Sequence, residues 1–141
     1  MKVLIDTCII IDFLQKREPF GEDALRLLRA AAGELFSGYI TAKSATDIFY
    51  LDHRATHDKA ASRKRLHALL TILGLADTAA IDVMQALSSG MGDFEDAVMA
   101  ETAKRIGACC IVTRNTRDYT NCGVPVCTPG EFLVRFAATG G

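Results

Sequence analysis

A short, wholly apolar run near the start of the chain ends abruptly in a carboxylate. Residues Val3 to Ile5 contain no polar side chain, and Asp6 follows them at once. A run of this kind predicts a strand that is buried on both faces, as strands are in parallel sheets. The carboxyl ends of such strands lie at the edge where α/β proteins bind ligands, so we expect Asp6 to belong to a functional site.

Length and composition indicate a small globular protein. The 141 residues fit one domain, which we place at residues 1–141, and half of them are hydrophobic. The formal net charge of −1 gives no overall field that would attract a nucleic acid, so any attraction must be local. The longest apolar runs are too short to span a membrane, and no secretion signal is evident. We therefore expect a soluble, cytoplasmic protein.

The five cysteines do not predict a disulfide framework or a zinc site. Their number is odd and no Cys-x-x-Cys pair occurs. Reduced thiols in a cytosol fit this pattern.

Predicted strands and helices alternate along the chain, which favours a parallel sheet covered by helices on both faces. After a first helical turn near Ile9–Leu14, we expect helices at Glu22–Ala32, Ser44–Arg54, His57–Leu73, Thr78–Leu87 and Asp93–Arg105, and a last one from Thr128. The predicted strands are Val3–Ile5, Leu35–Thr41, Cys109–Val112 and an edge strand at Val124–Cys127.

Carboxylates occur where several of these elements begin or end. They are Asp6 after the first strand, Asp47, Asp93 and Asp96 near helix starts, and Asp118 after the last buried strand. In a parallel sheet they meet at one edge, where ionised carboxylates need a compensating charge. Mg²⁺ or Mn²⁺ supplies it, takes oxygen ligands, and can assist attack of water on a phosphodiester. The set predicts a metal-dependent nuclease.

Each of these acids except Asp6 has a structural alternative. Ser44 to Asp47 and Asp93 to Asp96 both have the form of a capping box, and acids favour helix N-termini. Asp118 has the alternative of a turn residue. The nuclease prediction therefore depends on the set rather than on any single acid.

Four segments carry these acids together with their apolar neighbours: Val3–Leu14, Ile40–Ile48, Asp93–Val98 and Ile111–Tyr119. Together they resemble the PIN domain family, and within it the VapC-like toxins. The resemblance follows the family's order and spans nearly the whole chain. It implies a three-layer α/β/α fold around a parallel sheet, an acidic pocket that binds Mg²⁺ or Mn²⁺, endoribonuclease activity on RNA, an antitoxin partner and a homodimer.

The resemblance also implies roles for individual residues. Asp6 and Asp96 correspond to the primary metal ligands, Asp47 to the second acid, and Asp118 to an outer contributor. Asp93 either orients a water molecule at the metal or only caps its helix. Thr113 is similar to the hydroxyl residue that closes the pocket after the last core strand, and we expect it to contact the substrate there.

Three positions depart from the family pattern. Asp47 stands where Glu is more common, Cys8 where Asn is common, and Asn115 where many relatives have Asp. The fourth acid is thus open between Asn115 and Asp118, of which only Asp118 carries charge.

Cations near the predicted site have two interpretations each. Arg114 and Arg117 lie in the loop after the last core strand and either contact RNA phosphates or are solvated. The same two interpretations apply to Lys43 and to the run Arg63–Arg65. His53 and His57 are spaced as two zinc ligands on one helix face would be, although a solvated face is the favoured interpretation.

Two other functions remain open. One is a PIN-fold protein with weakened catalysis that binds RNA or protein. The other is an aspartyl-phosphate receiver or phosphatase, which fits poorly because Cys8 stands where a phosphatase has its second Asp. The apolar segments Ile48–Leu51 and Leu66–Leu75 offer surface for a dimer or an antitoxin.

Overall fold

A computed structural model describes the backbone of residues 1–140 and the side chains of residues 1–136. The strands are β1 (Lys2–Ile5), β2 (Ser37–Thr41), β3 (Gly74–Ala76), β4 (Cys110–Val112) and β5 (Val126–Cys127). The helices are α1 (Thr7–Leu14), α2 (Gly21–Ala32), α3 (Ala42–Thr56), α4 (Lys59–Leu69), α5 (Ala80–Leu87), α6 (Phe94–Ile106) and α7 (Pro129–Gly140), and a short 3-10 helix covers Thr116–Tyr119. Within the described residues, no helix is long and apolar enough to cross a membrane.

All strands of the sheet are parallel, in the order β3-β2-β1-β4-β5. β1 lies at the centre, with Leu4 beside Tyr39 of β2 on one side and beside Ile111 of β4 on the other. This position explains why Val3, Leu4 and Ile5 have no solvent exposure. The predicted central parallel sheet is confirmed.

Side-chain alternation along β1 divides the core into two layers. Val3 and Ile5 point to a large cluster that contains the apolar faces of α1 and α2 together with Ile48 of α3. Leu4 points to the opposite face, where it packs with Ala100 of α6 and with Tyr119. α5 packs on α6. The result is the predicted three-layer α/β/α arrangement.

Two buried ion pairs fasten neighbouring helices outside the sheet. Asp52 of α3 accepts from Arg65 of α4 at 2.8 Å, and Asp82 of α5 accepts from Arg105 of α6 at 2.9 Å. Burial alone would raise the pKa of each carboxyl, but hydrogen bonds led by the arginine lower it overall. The basic run Arg63–Arg65 is thus in part structural.

Most element boundaries differ from the sequence predictions by a few residues, and two of the differences have a clear physical cause. The helix predicted to reach Leu73 ends at Leu69, and the chain then forms β3, which the sequence did not predict. A Cβ at Gly74 would overlap the Tyr39 ring of β2, so this glycine permits the close strand pairing. α3 begins at Ala42 and not at Ser44, because Thr41 is its N-cap.

Candidate active site

The sheet places Asp6 at the point where its connections reverse direction. From β1 the chain builds outward through β2 and β3 on one side, whereas β4 and β5 lie on the other side of β1. A crevice opens at the carboxyl ends of the strands at such a switch point, and ligands of open α/β sheets bind there. Asp6 follows β1 and Thr113 follows β4, so both residues lie at this crevice.

Asp6 is held rigidly by its neighbours. It is the N-cap of α1, and its Oδ1 accepts a hydrogen bond of 2.8 Å from the backbone N–H of Thr7. Its Oδ2 accepts 2.8 Å from the Thr113 hydroxyl, which is fully buried. Neutral donors orient a carboxylate without neutralising it, so Asp6 presents a fixed negative charge to the crevice.

Tyr119 lies beside both Asp6 and Asp96. Its hydroxyl donates to Asp6 Oδ2 at 3.2 Å. It also lowers the pKa of Asp96, in the first turn of α6, against the larger effects that raise it. The hydroxyl has one proton, which is used by Asp6, so the two neighbouring carboxylates have few donors between them.

The electrostatics of Asp96 show that negative charge accumulates here. Burial, followed by the charges of Asp93 and Asp6, raises the pKa of Asp96 to about 6, against a smaller lowering by Tyr119; the charge of Asp118 adds to the rise. These four carboxylates therefore act on one another at a single place. A site of this kind is stabilised by a cation.

Asp93 and Asp118 lie at the margin of this group. Asp93 is the N-cap of α6, and its Oδ1 accepts a hydrogen bond of 2.9 Å from the Asp96 N–H. Asp93 therefore caps this helix, and its role in orienting a water molecule at a metal stays a prediction. Asp118 is exposed in the 3-10 helix, and Asn115, also exposed, precedes that helix.

Asp47 lines the same crevice and already has a cationic partner. The capping-box alternative for Ser44 to Asp47 is wrong, because Ser44 N–H donates to the Thr41 cap and Asp47 falls one turn further along. Lys43 Nζ lies 2.6 Å from Asp47 Oδ2 and 3.3 Å from Glu95 Oε1 of α6. The lysine thus connects α3 to α6 across the crevice.

These residues line an open cavity of about 420 Å³. Its lining includes Asp6, Asp96, Lys43, Asp47, Glu95 and Met99, with the exposed Tyr50 and Arg54 at its rim. The Tyr50 side chain is 64% exposed. The cavity therefore combines carboxylates with two cations and an exposed aromatic ring.

The three residues predicted to contact substrate have different positions. Thr113 is buried and touches Asp6, and Arg114 makes a bidentate pair with the buried Asp12 while it stacks on Phe20. These placements oppose direct contact with a substrate and indicate positioning roles for both residues. Arg117 is exposed, and its contact with RNA stays a prediction.

A divalent cation fits the Asp6–Asp96 side of the cavity. The donors there are hard carboxylate oxygens with uncompensated charge, which Mg²⁺ and Mn²⁺ prefer. Among the described residues, no three His, Cys, Asp or Glu side chains form a ready ligand group. Mg²⁺ nevertheless binds through only one or two carboxylates and keeps several waters, so the pair is sufficient.

The raised pKa of Asp96 predicts a stability change that depends on pH. The Asp96 carboxyl has a pKa of 3.8 in the unfolded chain and of about 6 in the folded protein. Its ionisation therefore lowers the free energy of unfolding, with no effect below pH 3.8 and the full effect above pH 6. We expect Asp96→Asn to raise the Tm of the metal-free protein by about 3 °C at pH 7.5, a value that allows for solvent screening of this partly exposed carboxyl. At pH 4 we expect no rise. Thermal unfolding in EDTA at both pH values measures this, and an equal shift at pH 4 would contradict it.

Four residues of the site were not identified as such from the sequence. Local sequence patterns do not single out Tyr119, Glu95, Tyr50 or Arg54, because their approach to the cavity depends on long-range packing. The only sequence signal is the position of Tyr119 as a single aromatic residue in a polar loop.

Comparisons with known proteins agree with this geometry. The profile of the PIN domain family matches residues 2–117. Comparison with curated proteins finds no significant match.

Several solved structures have a similar fold. FitAcB from Neisseria gonorrhoeae superimposes with a TM-score of 0.70 at 20% identity, over 91% of this chain and 98% of that one. A toxin–antitoxin complex from Klebsiella pneumoniae gives 0.65 at 23% identity, over 90% and 97%. VapC20 from Mycobacterium tuberculosis, a sarcin-ricin loop cleaving toxin, gives 0.62 at 16% identity, over 77% and 86%. With the profile match over most of its length, this chain belongs to the PIN domain family.

Proposed function

We propose that this protein is a metal-dependent endoribonuclease that acts as the toxin of a toxin–antitoxin pair. The observation that carries the proposal is the pair of neighbouring carboxylates Asp6 and Asp96, which line one cavity at the switch point of the sheet. Two carboxylates crowded in an open cavity suit a divalent cation better than a proton relay. A bound cation needs both carboxylates in the ionised form and offsets their repulsion, whereas a relay needs one of them protonated. The similar structures of toxins give independent support.

Asp6 and Asp96 would hold the cation, Mg²⁺ or Mn²⁺. When bound, the cation supplies charge that stabilises a phosphodiester under attack and lowers the pKa of water. Thr113 and Tyr119 fix the direction of the Asp6 carboxylate, and Asp93 fixes the first turn of α6, which carries Asp96. These three residues would position the metal ligands.

The rim of the cavity suits a single RNA strand. Nucleobases exposed in single strands stack on aromatic side chains, and Tyr50 offers an exposed ring. Arg54, an exposed residue at the same rim, is placed to contact a phosphate. RNA is therefore the proposed substrate, with recognition by stacking and by backbone charge.

The experiment that tests this function is a cleavage assay on a single strand of RNA. We expect the purified protein to cleave the RNA with Mn²⁺ or Mg²⁺ and to stop when EDTA is added. The RNA should remain intact in a parallel reaction with heat-denatured protein. Binding of RNA without any cleavage would favour the alternative, a PIN-fold binding module.

The antitoxin partner is supported by the similar complex from Klebsiella pneumoniae. A nuclease in the cytoplasm that cuts cellular RNA needs such an inhibitor to be tolerated. We therefore propose that a cognate antitoxin protein covers the cavity when the toxin is inactive.

A homodimer is the proposed assembly, and the structure offers a further apolar surface besides the expected segments. In those segments Ile48, Leu69 and Leu73 lie in the core, whereas Tyr50 is 64% and Leu75 is 51% exposed. α5 also exposes Ile81, Met84 and Leu87 at three-residue spacing, which places them on one face of the helix. Such a face suits contact with the same face of a second copy about a two-fold axis.

We expect Met84→Lys to convert the dimer to a monomer, because it places a charge in the centre of the α5 face. Light scattering coupled to size exclusion at about 100 µM protein measures the mass. Val134→Lys, on the exposed side of α7, is the matched control and should leave the dimer intact. A monomeric wild-type protein would contradict the proposal.

Asp118 and Asn115 remain the two candidates for the fourth site residue. Asp118 acts electrostatically on Asp96, which favours it over the neutral Asn115. We expect Asp118→Asn to reduce cleavage about 10- to 100-fold, as removal of an outer-shell partner of a metal does. Adding Asn115→Asp to that variant should restore part of the activity. A rate within a few-fold of wild type in Asp118→Asn, with no rescue, would show that Asp118 is only a turn residue.

A further inference from the structure

Lys43 occupies an unusual position for a surface lysine. Its ammonium contacts two carboxylates from two different helices, Asp47 at 2.6 Å on its own helix α3 and Glu95 at 3.3 Å on α6. All three residues line the same cavity as Asp6 and Asp96. Burial alone would lower the pKa of Lys43, but the hydrogen bonds and charges of Asp47 and Glu95 raise it overall, so the lysine keeps its proton.

The cavity therefore contains two groups of carboxylates with different charge balance. The first group is Asp47 and Glu95, where one ammonium serves two carboxylates and removes much of their attraction for a cation. The second group is Asp6 and Asp96, and the donors to Asp6 are neutral: the Thr7 N–H and the hydroxyls of Thr113 and Tyr119. Lys43 repels a free dication from the first group more strongly than from the second.

We propose that Lys43 is a built-in counter-ion that occupies the place of a second metal ion and restricts the cavity to one divalent cation, at Asp6 and Asp96. This inference rests on the proposed metal-dependent function. It assigns Asp47 and Glu95 as partners of the lysine and not as metal ligands. Lys43 is a positioning residue, which fixes the number of metal ions without touching the one that binds.

The assignment also explains the geometry of the α3 start. Lys43 lies four residues before Asp47, the spacing at which side chains on one helix face meet. The Thr41 cap fixes the first turn of α3, and this turn directs Lys43 toward Glu95 on the neighbouring helix. The lysine thus ties the two helices that flank the cavity while it supplies positive charge.

The test counts Mn²⁺ ions by calorimetric titration in the absence of RNA, so it does not depend on cleavage. We expect wild type to bind one Mn²⁺ per chain and Lys43→Met to bind two, because the freed Asp47 and Glu95 then face each other without a cation. Lys43→Arg, which keeps the charge, and Asp47→Asn should each bind one. Lys43→Met combined with Asp47→Asn should return to one.

A matched control separates the local effect from the change in net charge. Lys104 is 44% exposed against 45% for Lys43, and it also pairs with an acid on its own helix, Glu101 at 2.7 Å. Lys104→Met should still bind one Mn²⁺, because this pair does not line the cavity.

The outcomes distinguish the inference from the proposed function. One Mn²⁺ in both wild type and Lys43→Met would overturn the role of Lys43 and leave the metal-dependent function standing. Two Mn²⁺ in wild type, or loss of binding in Asp47→Asn, would overturn it as well, because Asp47 would then be a ligand. A wild-type protein that binds no Mn²⁺ would overturn the metal-dependent function itself and, with it, the inference.

Discussion

Replacing Asp96 with asparagine is expected to lower metal-dependent RNA cleavage at least about a thousandfold, because a metal ligand that supplies several kcal/mol of transition-state stabilisation is lost. Asp6→Asn should have the same effect. Both changes are nearly isosteric, so the fold should persist and the loss should be chemical. Initial rates of cleavage at saturating Mn²⁺ measure it.

The control for this pair is Glu22→Gln, which removes an exposed carboxylate from the first turn of α2, far from the cavity. It should cleave RNA at the wild-type rate. Wild-type activity in either Asp6→Asn or Asp96→Asn would contradict the assignment of the metal ligands. Circular dichroism of each variant checks that the fold is unchanged.

The second large effect is expected on stability and concerns Arg114. This arginine is 27% exposed and is the ionic partner of Asp12, which has no exposure. Removing it leaves a carboxylate buried without its charge partner, which costs about 3 kcal/mol in the free energy of unfolding. We therefore expect Arg114→Met to destabilise the protein strongly, as measured by urea unfolding in EDTA.

Arg26→Met is the matched control, because the Arg26–Asp23 pair has the same chemistry but is half exposed. Its loss should cost less than about 1 kcal/mol. An Arg114→Met variant that unfolds like wild type but no longer binds RNA would contradict the structural role. It would instead support the predicted contact of Arg114 with RNA.

The centre of the fold and the location of the site could be predicted from local sequence. The wholly apolar runs at β1 and β4 have no plausible position except the middle of a parallel sheet, and both end abruptly in polar residues. Because parallel strands carry their carboxyl ends to one edge, the position of Asp6 followed directly. The acidic helix start with Asp93 and Asp96 was likewise predicted, although only the folded structure shows that Asp93 is the residue that caps the helix.

Other features depend on contacts between distant parts of the chain. β3 has three residues, one of them the glycine beneath Tyr39, and so short a segment gives no periodic signal. Asp12 and Arg114 are 102 residues apart, and their pairing removed Arg114 from the predicted substrate contacts. The only sequence sign was a charged residue within the apolar run Ile9–Leu14, which implies a buried partner without naming it.

The charge balance of the cavity was the least predictable feature. From the sequence alone, Lys43 either contacts RNA phosphates or is solvated. Only the fold brings Glu95 of α6 close to it. The hydrogen bond from the Tyr119 hydroxyl to Asp6 is equally hard to predict, because the two residues are 113 positions apart in the sequence.

The ends of the RNA products test the central claim most directly. Hydrolysis assisted by a metal at Asp6 and Asp96 uses water as the nucleophile, so the 2′-hydroxyl of the substrate takes no part. Mass spectrometry of fragments made with Mn²⁺ in ¹⁸O-labelled water should show one labelled oxygen in the product phosphate and no 2′,3′-cyclic phosphate, and EDTA should abolish the fragments. Cyclic phosphate ends, or fragments that persist in EDTA, would contradict the account.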